Sequence, residues 1–208
     1  MIFHQISVGP MQNFVYLIGE EKSKDAVIID AGWDINEIIN IAEKEKLKIN
    51  KIILTHYHYD HVQKVNELAD KTHAEIYFHE DEEQFLKIAT KNKKIKLKDN
   101  DEIKIGSLKI KIIHTPGHTL GSICIFIGNK LITGDTLFVG AIGRTDLPGG
   151  DAIKLFESLQ KLKKLNDDVE VYPGHDYGQT KFSTIGNEKR NNPYFMCKTK
   201  EDFLRMVG

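Results

Sequence analysis

The sequence predicts an α+β domain in which two β-sheets pack face to face with helices on the outside. Two groups of short strand-like runs lead to this expectation, together with the amphipathic helical segments that accompany each group. No linker or low-complexity segment separates the groups, so residues 1–208 are read as one domain. The first group opens with IFHQISV, passes a GPMQN turn into FVYLI, and continues with AVIID. A helix follows. Asp34 and Glu37 stand as N-cap and third helical residue, and Ile35, Ile38, Ile39 and Ala42 share one face. KIILT (51–55) reads as a buried strand, 62–70 as a helix, EIYF (75–78) as extended and 81–90 as a further helix. The second group comprises DEIKI, SLKIKIIH, SICIFIG and KLITG, with turns at Gly106, Pro116–Gly117 and Gly128–Asn129. A helix from Asp151 carries Ile153, Phe156 and Leu159, VEVY (169–172) is a last strand, and Thr199 caps a short helix holding Phe203 and Met206.

Composition excludes several classes of function. The chain is 40% hydrophobic and 28% charged, with 29 basic against 30 acidic residues and a net charge of -1. That balance offers no electrostatic footprint for nucleic acid or an acidic membrane surface. The lysine-rich stretch 87–98 holds no aromatic residue and reads as a solvated face. No apolar run approaches the roughly 20 residues of a membrane helix, and MIFHQISVGP lacks the pattern of a signal peptide. Two cysteines, Cys124 and Cys197, form no disulfide framework or zinc pair, so a cytoplasmic location is expected. Against only two cysteines the chain has nine histidines, and any metal must be held by imidazole and carboxylate.

His56, His58, Asp60 and His61 lie within six residues, directly after an apolar strand. In an extended segment residues 56 and 58 point the same way, so two imidazoles can converge on one ion. If the chain then enters a helix, Asp60 and His61 swing to a different direction and can serve a second ion. A histidine-rich solvated turn is the plain alternative. Three further ligand types stand beside tight turns: His118 in TPGHT, Asp135 in TGDT and His175 in YPGHD. Each follows a strand, so all can meet at one rim of the sheets. Any one alone is most simply a turn. With the first cluster they make seven ligands, enough for two ions and a bridging carboxylate.

THYHYDH, TPGHTLGS, TGDTLF and PGHDY, in this order and at these separations, resemble the metallo-β-lactamase superfamily and, within it, the glyoxalase II-like branch. The resemblance runs from NFVYLI and VIIDAG to GNEKRNNP. It implies a four-layer αββα sandwich with the site at one edge of the sheets. It also implies one ion held by His56, His58 and His118, and a second held by Asp60, His61 and His175, with Asp135 bridging. Asp60 and Asp135 are thereby the candidate catalytic residues as well as ligands, and two divalent ions, zinc above all, are the expected cofactors. The lactamases that use two zinc ions have cysteine in place of Asp135, and the di-iron oxygen reductases have glutamate in place of His58. This chain shares neither feature.

A hydroxide between two such ions is a natural nucleophile. Metal binding lowers the pKa of water from 15.7 to about 7, a difference of roughly nine units or on the order of 12 kcal/mol. A thioester suits this apparatus because its leaving thiolate, with a conjugate acid near pKa 8.5, needs no strong general acid. The expected activity is metal-assisted hydrolysis of a thioester, as in hydroxyacylglutathione hydrolases. The expected partner is a small-molecule thioester or thiol-derived substrate, with no nucleic acid or membrane, and with a homodimer left open.

Arg144 in GAIGRTDLPGG is the candidate grip for an anionic substrate group, unless it pairs internally with Asp146. Tyr177 resembles a substrate-contacting tyrosine of glyoxalase II, or else caps a hydrophobic edge. Asp30 can orient a ligand histidine, and His114 is either close to that ligand shell or merely packed. Three departures speak against glutathione as the thiol. Gln63 and Lys64 stand where glyoxalase II has a glycine pair, Asp146 stands where it has a tyrosine, and little chain follows Pro193. The segment YPGHDYGQTKFSTIGNEKRNNP also resembles persulfide dioxygenases, which implies an alternative in which one iron is bound by His56, His118 and Asp135.

Overall fold

A computed structural model describes all 208 residues, Met1 to Gly208. The first group of elements is β1 (Ile2–Val8), β2 (Asn13–Gly19), β3 (Asp25–Ile29), α1 (Ile35–Lys44), β4 (Lys48–Ile53), α2 (Tyr59–Val62), α3 (Val65–Thr72), β5 (Glu75–His79) and β6 (Lys94–Leu97). The second is β7 (Glu102–Ile105), β8 (Leu108–His114), β9 (Ile123–Ile127), β10 (Lys130–Gly134), α4 (Ala152–Leu162), β11 (Glu170–Pro173), β12 (Ser183–Thr184), α5 (Ile185–Asn191), α6 (Pro193–Met196) and α7 (Lys200–Val207).

Each group builds one six-stranded sheet, ordered β1-β2-β3-β4-β5-β6 and β12-β11-β10-β9-β8-β7. In the first, β1 to β3 are antiparallel and β3 to β6 parallel. In the second, only β10 and β11 run parallel. The layering follows from three apolar clusters. One unites β1 to β5 with α1 and α3 through Ile38, Leu68 and Ile52. The central one joins both sheets through Ile29, Ile53, Ile112 and Ile125. The third places Leu155, Leu159, Phe195 and Phe203 of the later helices on the outer face of the second sheet. Three cores between four layers are the αββα sandwich that the sequence implies. Truncating a side chain as buried as Ile125 leaves a cavity costing about 2–5 kcal/mol. No helix is long and apolar enough to cross a membrane.

Four local expectations change. Residues 81–90 form no α-helix; a single 3-10 turn, Glu80–Glu82, starts there, because Glu82 turns inward to bind backbone N–H groups of two other loops. Part of the lysine-rich stretch becomes edge strand β6, whose lysines alternate outward with Leu97 turned inward. Asp34 does precede α1, but its backbone is left-handed and its carboxylate accepts Gly9 N–H at 3.2 Å instead of capping the helix. On α4, Asp151 caps through Ile153 and Lys154 N–H, while Ile153 is exposed and the buried face is Leu155, Leu159 and Leu162.

Candidate metal centre

The chain emerges from β4 at Ile53, so His56 and His58 lie on an extended loop beyond the strand. His58 is the N-cap of α2, whose single turn carries Asp60 and His61. His118 lies in the loop after β8, Asp135 directly follows β10, and His175 lies two residues past β11. Strands β8, β10 and β11 point the same way, and their ends bring these loops to one edge of the sandwich. Close approach there requires glycine. A Cβ on Gly174 would sit 2.2 Å from Asp135 Oδ1, and one on Gly143 would sit 1.9 Å from the Asp135 carbonyl.

All seven predicted ligands converge. His56, His58 and His118 form one group, and Asp60, His61 and His175 another, with ligand atoms within 4.8 Å of one another in each. Asp135 faces both: its Oδ2 is 3.6 Å from His118 Nε2 and 3.3 Å from His175 Nε2, while its Oδ1 is 3.4 Å from His61 Nε2.

The surroundings settle which nitrogen of four histidines points inward. His61 Nδ1 stands 2.7 Å from Asp30 Oδ2, His118 Nδ1 2.7 Å from the Arg144 carbonyl, and His175 Nδ1 2.9 Å from the Met11 carbonyl. These partners only accept, so each Nδ1 donates and each Nε2 is the nitrogen turned to the centre. Thr55 Oγ1 donates to Asp30 at 2.8 Å and accepts from His56 Nδ1 at 3.0 Å, which leaves His56 Nε2 turned to the centre as well. His61 Nε2 and His175 Nε2 face each other at 3.1 Å, and His118 Nε2 faces His58 Nδ1 at 2.9 Å. Buried His56 Nε2 and Asp135 Oδ1 have no hydrogen-bond partner at all. Imidazole nitrogens and carboxylates crowded together, with the Asn13 amide beside Asp60 and His61 as a donor among them, call for cations, and nitrogen–oxygen sets without sulfur suit divalent ions such as zinc, iron or manganese.

The local field agrees. Burial opposes charge on His61, yet Asp135 and then Asp30 raise it to about 9. Burial likewise opposes charge on His175, but hydrogen bonds that its ring donates to Asp135 and Asp60 raise it to about 10. On the other side of the centre, burial first and neighbouring imidazoles next push His56 down, and the same pair of causes takes His58 to about 4. Burial would lift Asp135, but His61 and then His175 hold it at about 2. Burial would also lift Asp60, which the His175 hydrogen bond and His61 hold well below the usual carboxylate range. Ionised carboxylates and a demand for positive charge beside them are what a metal ligand set presents.

Asp30 therefore does orient a ligand, as its place at the end of AVIID suggests, and it also fixes Thr55 N–H at 2.8 Å. His114 does not adjoin the ligands; it stacks on His79. Two supports had no sequence signal. Asn13 donates to Asp60 Oδ2 at 2.7 Å and accepts from Trp33 Nε1 at 3.0 Å. Glu82, buried, accepts Tyr57 N–H at 2.5 Å and Gly121 N–H at 2.7 Å, tying the His56–His58 loop to the His118 loop. A polar residue in an apolar run marks Asn13 only in retrospect, and Glu82 looks like any surface acid of a helix.

The cleft over the centre has a volume of about 520 Å³ and is half apolar, with Met11, Phe138, Ile142 and Leu147 among its walls. Arg144 lies on its rim, but its guanidinium makes a two-pronged pair with Asp146, at 2.6 Å on each prong. Its backbone carbonyl, which holds His118, is its one direct link to the ligands. Tyr177 also lines the cleft, stacked on His175 at 4.5 Å between ring centroids.

A family model described as the Metallo-beta-lactamase superfamily matches residues 8–175. The chain belongs to that superfamily, as a metal-dependent hydrolase. It is similar to the probable polyketide biosynthesis zinc-dependent hydrolase PksB of Bacillus subtilis, 31% identical over 194 residues covering 93% of this chain and 86% of the relative. It is 35% identical to hydroxyacylglutathione hydrolase GloC of Haemophilus influenzae over 212 residues, covering 93% of this chain and 98% of the relative. Among solved structures, ETHE1 from Myxococcus xanthus superposes with a TM-score of 0.90 at 32% identity, covering 100% of this chain and 90% of that one.

Proposed function

We propose that this hydrolase cleaves thioesters with two divalent ions, zinc foremost, one held by His56, His58 and His118 and the other by Asp60, His61 and His175, with Asp135 between them. The observation that carries the reading is the composition of the cleft. Its only carboxyl groups are Asp60 and Asp135, both held ionised, and burial followed by those two aspartates raises the Tyr177 hydroxyl above its ordinary range. Neither aspartate is a carboxylic acid near neutral pH, so the cleft has no carboxyl proton to give a leaving amine or alkoxide. That favours a leaving group stable as an anion, as a thiolate is. When bound, divalent ions supply Lewis acidity towards a carbonyl oxygen and make hydroxide available near neutral pH.

The chain's own residues do the rest. Asp30, Thr55, Met11 and Arg144 hold four imidazoles in one tautomer, so the ligand nitrogens need no reorganisation. Met11, Phe138, Ile142 and Leu147 make an apolar wall against which an acyl chain can lie while excluding water.

The test is thiol release, followed with a chromogenic thiol reagent, from S-lactoylglutathione and S-acetyl thiols by the zinc-loaded protein, alongside a penicillin. Thioester cleavage without lactam cleavage is expected. No thioester cleavage by protein holding two ions per chain overturns the reading. Oxygen uptake by the iron-loaded protein given a persulfide would replace it with the single-iron alternative on His56, His118 and Asp135; the complete second set Asp60, His61 and His175 speaks for two ions.

A further inference from the structure

A second cavity, of about 840 Å³, lies beside the metal cleft, and the two meet at Ala141 and Tyr177, which line both. The Tyr177 ring, stacked on His175 and 53% exposed, forms the threshold between them. A chain attached to a carbonyl over the ions can therefore run past Tyr177 into this space.

The chemistry of the walls limits what that chain can be. The walls carry the amides and hydroxyls of Gln179, Thr180, Thr184, Asn187 and Asn191, several of them bonded within the wall (Thr180 to the Phe182 carbonyl, Asn187 to Ser183, Asn191 to Asn187), and no lysine, arginine or histidine is among the lining residues. The one carboxyl group there is Glu188, which accepts from Gly140 N–H at 2.9 Å, Asn192 Nδ2 at 2.9 Å and the Ser183 hydroxyl at 2.5 Å. Of the nearby cations, Lys189 pairs with Asp167 at 2.6 Å and Arg190 with Asp167 at 3.9 Å, while exposed Lys181, between Thr180 and Phe182, is not among the lining residues. Arg144 is held by Asp146. A thiol bearing carboxylates, such as glutathione, would bring charges into a cavity with no cation in its lining and an acidic residue on its wall, and unpaired charge is costly to desolvate. Pantetheine offers a linear arm with two amides and hydroxyls and no ionised group. Its donors and acceptors match neutral amide and hydroxyl walls.

Resting on the thioester reading above, the geometry points to an acyl thioester of a pantetheine-type thiol as the substrate, with the arm in the Gln179–Asn191 cavity. In the reaction a water oxygen forms the new bond to the acyl carbon and the C–S bond breaks. The sulfur leaves with the bonding pair as thiolate. The products are a carboxylate and a thiol with release of one proton, and no oxidant or reductant is needed.

The experiment compares kcat/KM for S-acetylpantetheine and S-acetylglutathione, which share one acyl group, on the zinc-loaded full chain. A preference for the pantetheine thioester of at least about tenfold is expected. Asn191→Lys, which supplies a cation, is expected to reduce that preference several-fold. Equal or better use of the glutathione thioester by the native chain overturns the inference and leaves thioester hydrolysis standing. An acetyl-CoA arm identifies the source: parity with S-acetylpantetheine points to a nucleotide-terminated thiol, and a loss points to an arm tethered to a carrier protein. The second readout needs neither metal nor turnover. S-methylpantetheine added to the metal-free chain should shift the side-chain amide NMR signals of Gln179, Asn187 and Asn191. If neither thioester is cleaved the thioester reading falls, and if these signals also fail to move the cavity assignment falls with it.

Discussion

Two imidazole clusters in this protein use the same residue types to opposite ends. In the metal centre, His58 and His118 meet with rings inclined at 85°, and His61 and His175 at 74°, so their lone pairs converge edge to edge. Near the ends of β5 and β8, His79 and His114 lie flat on each other, 14° apart in inclination with centroids 3.8 Å apart. With Asp81 they also make a set of potential ligands. However, parallel rings send their in-plane lone pairs side by side, and one nitrogen of each is already committed: His79 Nδ1 accepts Asp81 N–H at 3.3 Å and His114 Nε2 donates to the Leu120 carbonyl at 2.9 Å. The stacked pair therefore ties loops together, whereas the inclined set presents unspent acceptors. Ligand type is necessary for a metal site, and ring orientation decides it.

The largest effect should come from Asp135, which faces both ligand groups. Asp135→Ala is expected to lower bound metal, measured by elemental analysis, and to reduce thioester hydrolysis by on the order of 10³-fold. His79→Ala should leave metal content unchanged, and equal metal loss in the two variants would erase the contrast between the clusters. Next in size is Asp30→Asn, which preserves shape but removes the charge that orients His61. A loss of about 10- to 100-fold in metal affinity is expected by competition with a chelator.

Glu82→Gln follows, because an amide cannot accept from both Tyr57 and Gly121 N–H. About a tenfold loss of activity with full metal content is expected. Burial raises this carboxyl to about 6 against the pull of the Gly121 hydrogen bond. Its contribution to stability is therefore complete below about pH 4.5 and is lost as pH rises through about 6, so the gap in thermal stability between wild type and Glu82→Gln should narrow over that range. The smallest effect concerns the stacked pair and has the opposite sign. Burial first, and His114 next, hold His79 below its ordinary value. Its contribution is present above about pH 6.5 and fades as pH falls, so melting temperature should decline less between pH 7 and 5 in His79→Gln than in wild type. An equal decline would show that the stack does not discriminate against protonation.

Much of this architecture was legible because local chemistry and chain geometry coincide. Apolar runs such as FVYLI and ICIFI become β2 and β9, and the turn glycines of TPGHT and PGH bring His118 and His175 to the sheet edge. Prediction failed where a distant partner decides a residue's conformation. Glu82 draws residues 81–90 out of a helical pattern by binding loops 25 and 39 positions away in sequence. Ile153 and Leu155 exchange roles on α4 because the surface to be covered belongs to the second sheet, which residue spacing on the helix does not describe.

Residue identity marks which side chains can bind metal, and neighbouring residues encode the strand ends and tight turns that carry them. Which nitrogen of a histidine faces inward follows from folding, because the groups that set it include the carbonyls of Met11 and Arg144, and every residue type carries a carbonyl. The same holds for Arg144, whose guanidinium pairs with Asp146, and for the cavity beyond Tyr177 with no cation in its lining. Orientation and pairing depend on partners that folding brings together, and they turn a set of ligands into a centre able to act on a particular substrate.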